Sequence, residues 1–278
     1  MTWDGSLHLA YRRDLLRGTP RTVLHDRHDG PLRVLASLYP EAAAVCHNVL
    51  VHPPGGLVGG DRLAIEIALD AGAHALLTTP GATRFYRTTG APALQGLRAR
   101  LAPGARLEWL PLETIAYSGC RGHNTMSFEL APGAEMIGWD LLALGLPAAD
   151  LAFERGSFTQ SIKLPGRWLE RGTIDAADTL LLDSPLGWAG QRVLATLWFA
   201  SGNAFAPDRR DALLEAARAE AGPLASHCGV TAVDDGVIVL RVLAPRVEPA
   251  MALLTRVWAA WRRVAWALPA EPPRVWRT

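Results

Sequence analysis

The sequence lacks most of the features that announce a protein class. Its three cysteines, Cys46, Cys120 and Cys228, are odd in number and widely separated, which argues against a disulfide framework and for a reducing compartment. A single lysine, Lys163, leaves almost all positive charge to arginine, and a net charge of +1 supplies no field to gather nucleic acid. Long apolar runs are missing too. The best, Ala250 to Leu268, is broken by Arg256, Arg262 and Arg263, so no membrane span is expected. The chain opens Met-Thr-Trp-Asp-Gly, with no basic segment followed by an apolar stretch; no secretory signal is expected, and the reading is cytoplasmic. Nor does any Ser-rich, Gln-rich or single-charge run mark a hinge, and one domain over residues 1–278 is expected.

What is present is a core-forming composition, 49% hydrophobic and 20% charged, and a recurring unit. In that unit an alternating segment runs into Gly-Ala and then into a second alternating segment. Leu63, Ile65, Ile67 and Leu69 point one way and Ala64, Glu66, Ala68 and Asp70 the other, before Gly72-Ala73 and His74 to Thr79. Leu97 to Leu101 precedes Gly104-Ala105, and Thr125 to Leu130 precedes Gly133-Ala134. The glycines are 32 and 29 residues apart (104 − 72 and 133 − 104). Each is placed where a tight, hairpin-like turn needs positive φ. Stacked units of this length predict a solenoid, with a sandwich of hairpins as the alternative. The last third changes character. Pro207 to Glu220 predicts a helix with Asp208 at its start and Gly222-Pro223 at its end, Val237 to Leu243 a buried strand, and the stretch from Pro249 a second, amphipathic helix. Its apolar stripe is Ala250, Leu253, Leu254, Val257, Trp258, Trp261, Val264, Ala265 and Leu268.

Candidate chemistry is sparse. The glycine-rich run His52 to Asp61 lacks the Lys-Ser/Thr pair of a phosphate loop and puts a carboxylate where phosphate would sit. It instead offers Asp61, with His52 nearby, either as a carboxylate facing a channel or metal or as a cap on exposed amides. Leu76 to Arg87 is dense in hydroxyls, including Thr79 and Thr83, with no local His or Asp to make a nucleophile. Glu108 and Glu113 are expected to be exposed strand carboxylates. Cys46-His47, Cys120 with His123, and His227-Cys228 are Cys/His neighbourhoods without structural-zinc spacing. Asp140 in Ile137-Gly138-Trp139-Asp140-Leu141-Leu142, and Asp183 after three leucines, are charges in apolar surroundings that require a partner, a metal or an arginine.

Several long strings then occur together: His52 to Asp61, Ala73 to Arg87, and Leu107-Glu108-Trp109-Leu110-Pro111 with Glu113-Thr114-Ile115. With them come Gly30-Pro31-Leu32 before Tyr39-Pro40-Glu41, Gly138-Trp139-Asp140, and Asp235-Gly236-Val237-Ile238-Val239-Leu240-Arg241. Over most of its length the chain resembles the UreD (UreH) urease accessory proteins. It departs from them at Leu112, Ser118 and Leu146, where the family often carries glutamine, an acidic residue and arginine, and no role is carried to those positions. The resemblance implies a mainly β fold, a β-helix-like assembly of stacked strands with two α-helices in the C-terminal third. It also implies a non-catalytic role in urease maturation. The implied partners are UreF, the GTPase UreG through UreF, and apo-urease, with no tightly bound cofactor and only transient nickel(II). A metal that must pass without being trapped suits a path of carboxylates and hydroxyls of modest affinity. Asp61, Asp140, Asp183, Thr79 and Thr83 are the candidates to line it, with His52, Cys120 and His123 as additional metal contacts. The competing expectations are a carbohydrate-acting β-solenoid enzyme using Glu66, Glu108 and Glu129, and an interaction module with no metal path.

Overall fold

A computed structural model describes residues 2–277. The chain opens with a long antiparallel hairpin, β1 (Asp4–Leu16) and β2 (Thr19–Asp29), then β3 (Arg33–Val34) and β4 (Val45–Val51). Coils follow: β5 (Arg62–Leu69), β6 (His74–Thr78) and β7 (Thr83–Phe85), then β8 (Ala93–Leu101), β9 (Arg106–Trp109) and β10 (Thr114–Ala116). A further turn of the coil is made by β11 (Cys120–Leu130) and β12 (Glu135–Leu144). After β13 (Gly156–Leu164) and β14 (Trp168–Asp175) come α1 (Thr179–Asp183), β15 (Val193–Ser201), α2 (Pro207–Arg218), β16 (Cys228–Asp234), β17 (Val237–Ala244) and α3 (Val247–Trp266).

The strands form two facing sheets joined by a narrow third face. In the first sheet β1, β5, β8, β11 and β13 run parallel, with β2 and β14 as antiparallel edges. In the second, β4, β6, β9 and β12 run parallel, and β15, β17 and β16 extend it antiparallel. The short strands β7 and β10 stack in parallel on the narrow face. The solenoid expectation holds, and the hairpin-like part of it does not. β5 and β6 never pair with each other. Gly72 turns the chain from one sheet into the other, and Gly104 and Gly133 do the same one coil later each time. All three have positive φ (69°, 70° and 77°), and their backbones are piled up, a Cβ on Gly133 falling 3.6 Å from the Gly104 nitrogen. The register repeats the glycine spacing, with Leu94 opposite Arg62 and Met126 opposite Leu97.

Burial separates the two sheets. In β5 every second residue is buried, because one side of the first sheet meets the core and the other meets water. In β12 all ten residues are buried: Asp140, Leu142 and Leu144 face inward, while Ile137, Trp139 and Leu141 lie under the helices. The apolar stripe of α3, from Ala250 through Leu253, Leu254, Val257, Trp258 and Trp261, packs on that outer side. Val264, expected in the stripe, faces solvent, and Arg262 is fully buried instead. The helix begins two residues ahead of Pro249, which sits in its first turn, where a missing N–H costs no intrahelical bond. At α2 the expected Asp208 cap is replaced by Ala206 with no side-chain bond; Pro207 opens the helix and Asp208 occupies its first turn, where the dipole favours negative charge.

Candidate functional site

Between the sheets, toward the narrow face, lies a cavity of about 230 Å³. Its rim is made of two turns. One is His52 to Gly56, closed by the Gly55 N–H donating to the His52 carbonyl at 2.9 Å; the other runs from Thr79 to Arg84. The turns are laced together: Leu57 N donates to the Arg84 carbonyl at 2.7 Å and Tyr86 N to the Leu57 carbonyl at 2.9 Å. Approach is so close that a Cβ on Gly56 would sit 2.4 Å from the Tyr86 ring, which accounts for the glycine there.

The floor comes from the strands. Gln95, Asn124 and Gln160 are register partners on β8, β11 and β13, so their side chains form an amide row across the first sheet. Gln95 Nε2 donates to Asn124 Oδ1 at 3.4 Å, and Asn124 Nδ2 reaches across to Asp140 Oδ1 at 3.3 Å. Asp140 is almost wholly buried, and burial drives its carboxyl up to about 6 against a partial offset from Gln160. His52 is pushed down by burial in spite of the nearby Asp61 charge. Two residues lining this cavity carry a buried polar atom with no hydrogen-bond partner, His52 Nε2 and Trp109 Nε1, and so does Gln160 at Oε1, beside Asn124 in the amide row. The lining therefore combines a carboxylate held near its titration point, a neutral imidazole, amides and hydroxyls.

Four of the expected residues meet here: Asp140, Thr79, Thr83 and His52 all line the cavity. Thr79 Oγ1 also accepts from Leu112 N at 2.9 Å and donates to the Gly81 carbonyl at 3.0 Å. The other four lie outside it. Asp61 is buried with both carboxylate oxygens on backbone amides, Oδ1 accepting from Trp3 N at 2.8 Å and Oδ2 from Val58 N at 2.9 Å; it braces the glycine-rich turn. Asp183 ends α1 at the surface, paired with Arg192 at 2.7 Å. Cys120 and His123 are an odd number of residues apart on β11, so the thiol is buried and the imidazole exposed, and the two cannot ligate one ion. Burial also holds the Cys120 thiol up at about 11, far from the thiolate a metal needs. Among the described residues no group of three or more His, Cys, Asp or Glu is arranged to hold a metal ion. The cavity can meet a cation with one carboxylate and neutral donors, an arrangement of modest affinity rather than a cage.

A second polar cluster lies on the other side of the second sheet, under α3, and the expectation of an exposed Glu108 fails there. Glu108 is fully buried. Its Oε1 is 2.7 Å from His74 Nε2, and its Oε2 accepts from Trp258 Nε1 at 2.5 Å and lies 3.8 Å from Arg262. Arg262 makes a two-pronged contact with Glu41, whose Oε1 is also 2.6 Å from His47 Nε2. Burial pushes the Glu41 carboxyl up, but the His47 and Arg262 contacts outweigh it and leave the group below the ordinary carboxylate range. Nearby, Glu135 accepts from Arg209 at 2.5 Å and from Trp266 Nε1 at 2.6 Å. One sequence signal for this cluster existed: Arg262 is four residues past Trp258 and eight past Leu254, on the buried stripe of the helix.

Comparison with known proteins adds a strong match. The sequence model of the family described as UreD urease accessory protein matches residues 4–277. The chain is 61% identical over 280 residues to the urease accessory protein UreD of Leptothrix cholodnii, covering 100% of both chains. It is 61% identical over 278 residues to that of Albidiferax ferrireducens, covering 99% of both, and 59% identical over 280 residues to that of Variovorax paradoxus, covering 100% of both.

Proposed function

This chain belongs to the UreD family of urease accessory proteins, and on that premise we propose that it matures urease as a non-catalytic scaffold with an internal polar path for nickel. In this reading the chain docks on apo-urease, binds UreF, and through UreF meets the GTPase UreG, while Ni²⁺ passes as cargo. The observation that carries the reading is Asp140. It is a carboxylate buried at a stability cost, facing a cavity and held only by side-chain amides, Asn124 at 3.3 Å and Gln160, with unpartnered donors and acceptors around it. Such a group is not explained by packing, and perturbed buried carboxylates in cavities are where function concentrates. A lone carboxylate with amides and hydroxyls attracts a divalent ion and lets it go; thiolates would hold it.

Asp140, Thr79, Thr83 and His52 are the residues assigned to the path. Asp61 acts one step away, by tying the Val58 amide, just past the turn that carries His52, to the Trp3 amide. The test is co-expression of Asp140→Ala with urease and its accessory proteins. Complex assembly should be intact on co-purification while nickel per urease falls several-fold; full nickel loading with Asp140→Ala would refute the path, and would leave the interaction-module reading. For the carbohydrate-acting alternative, the three carboxylates it requires are scattered: Glu66 and Glu129 lie on the solvent side of the first sheet, and Glu108 is sealed under α3.

A further inference from the structure

The cavity has a neighbour. On the outside, a groove of about 970 Å³ runs between the start of α3, the segment around Gly145 to Ala149, and the C-terminal residues. The two spaces share one stretch of chain, whose residues are divided between them. Pro111 and Thr114 line the cavity, whereas Leu112, Glu113 and Ile115 line the groove. The partition is thus a single thickness of backbone.

What braces it from outside is the C-terminal strap, residues 267–277, which returns from the end of α3 and places Trp276 in a slot. The Trp276 ring packs on Trp139 at 5.2 Å and Trp258 at 5.6 Å. Its Nε1 donates to Thr78 Oγ1 at 2.8 Å, and that hydroxyl donates in turn to the Leu110 carbonyl at 2.7 Å. Trp139 Nε1 donates to the Pro111 carbonyl at 2.6 Å. The links through Thr78 and Trp139 end on the carbonyls of Leu110 and Pro111, where the partition begins. Trp276 is only half-buried and also borders the groove, so whatever occupies the groove touches it.

We propose that Trp276 is a latch: seated, it holds the partition Pro111–Ile115 shut, and its release joins the cavity to the groove. The inference rests on the reading of the cavity as a conduit, which needs a second opening besides the rim at His52–Gly56 and Thr79–Arg84. It extends that reading by naming the residue that controls the opening. Leu268 and Ala270 also pack on the helix-side core, so Trp276 is the part of the strap that reaches the supports of the partition, and a half-buried ring leaves its slot at lower local cost than a sealed one.

The test uses the full-length chain and no nickel, so that it stands or falls apart from the conduit reading. Two added-cysteine reporters, Thr114→Cys in the partition and Asn124→Cys on the cavity floor, are labelled with the cationic reagent 2-(trimethylammonium)ethyl methanethiosulfonate and read peptide by peptide by mass spectrometry, apart from the native Cys46, Cys120 and Cys228. Adding Trp276→Ala should speed labelling at position 114 by roughly tenfold and leave position 124 little changed. Trp276→Phe, which keeps a ring in the slot and removes only the N–H that donates to Thr78, should give a smaller rise at position 114, and decides the matter if Trp276→Ala does not fold. An unchanged rate at position 114, or an equal rise at both positions, would overturn the latch.

Discussion

The second sheet buries charge on both of its sides, in opposite ways. On the outer side, under α3, Glu41, Glu108 and Glu135 each meet at least two donors, and the cations facing them, Arg262 and Arg209, come from the two long helices. On the inner side Asp140 meets only neutral side-chain amides, Asn124 at 3.3 Å and Gln160, with no cation, and neighbouring polar atoms have no partner. Carboxylates with every lone pair matched are joints; they fix where a helix sits. A carboxylate that faces no cation is held at a cost in stability that the fold has not relaxed.

The sharpest way to break the comparison is to remove a joint. Glu108→Ala leaves His74 and Trp258 without their acceptor and takes one of two carboxylates from Arg262, which keeps Glu41, and should cost about 3–5 kcal/mol in chemical denaturation. A loss below about 1 kcal/mol would mean the outer cluster is no joint. Asp140→Asn should act in the opposite direction. A carboxyl raised from 3.8 to about 6 is protonated more readily in the folded chain than in the unfolded one. Its contribution is therefore favourable below pH 4, lost as pH climbs through 6, and absent at neutrality. Asp140→Asn should gain about 1–3 kcal/mol at pH 7.5 and nothing at pH 3.5, seen as a flatter stability-against-pH curve.

Asp61→Ala tests whether a buried aspartate can belong to the frame and still sit beside the cavity. Two amides lose their acceptor, and the cost should be about 1–2 kcal/mol, with nickel loading reduced less than by Asp140→Ala. Asp183→Ala is the smallest case. Its ion pair with Arg192 is half-exposed, so the midpoint of unfolding should shift by less than about 1 kcal/mol and nickel loading should not change.

Much of the frame was legible along the chain. Strict alternation in β5 is the local consequence of facing water on one side, and the glycine spacing returned as the register of the coils; the segments after Gly72 and Gly133, expected to alternate as well, are buried on both sides, because α3 and its neighbours cover the face that would have met water. The site was half legible. Asp140 declares itself because a charge among leucines needs an explanation, whereas Asp183, in similar company, ends a five-residue helix that α1's own sequence barely signals. Glu108 was misjudged because its partners, His74, Trp258 and Arg262, are separated from it by 34 residues or more. No periodicity within β9 reports what a helix near the far end of the chain will lay across it. The Cys120 and His123 pairing, by contrast, could have been dismissed on strand periodicity alone.

The unequal coils have a practical meaning. Leu77 faces Trp109, a step of 32 (109 − 77); Phe85 faces Ala116, a step of 31 (116 − 85); Leu97 faces Met126, a step of 29 (126 − 97). The shortening from one coil to the next happens entirely along the narrow edge, after the broad sheets are already in step. That edge works as an expansion joint: residues can be gained or lost there without shifting either sheet by a rung. It is also where the rim of the cavity lies, so the opening can be reshaped by changing loop length while the rest of the protein keeps time.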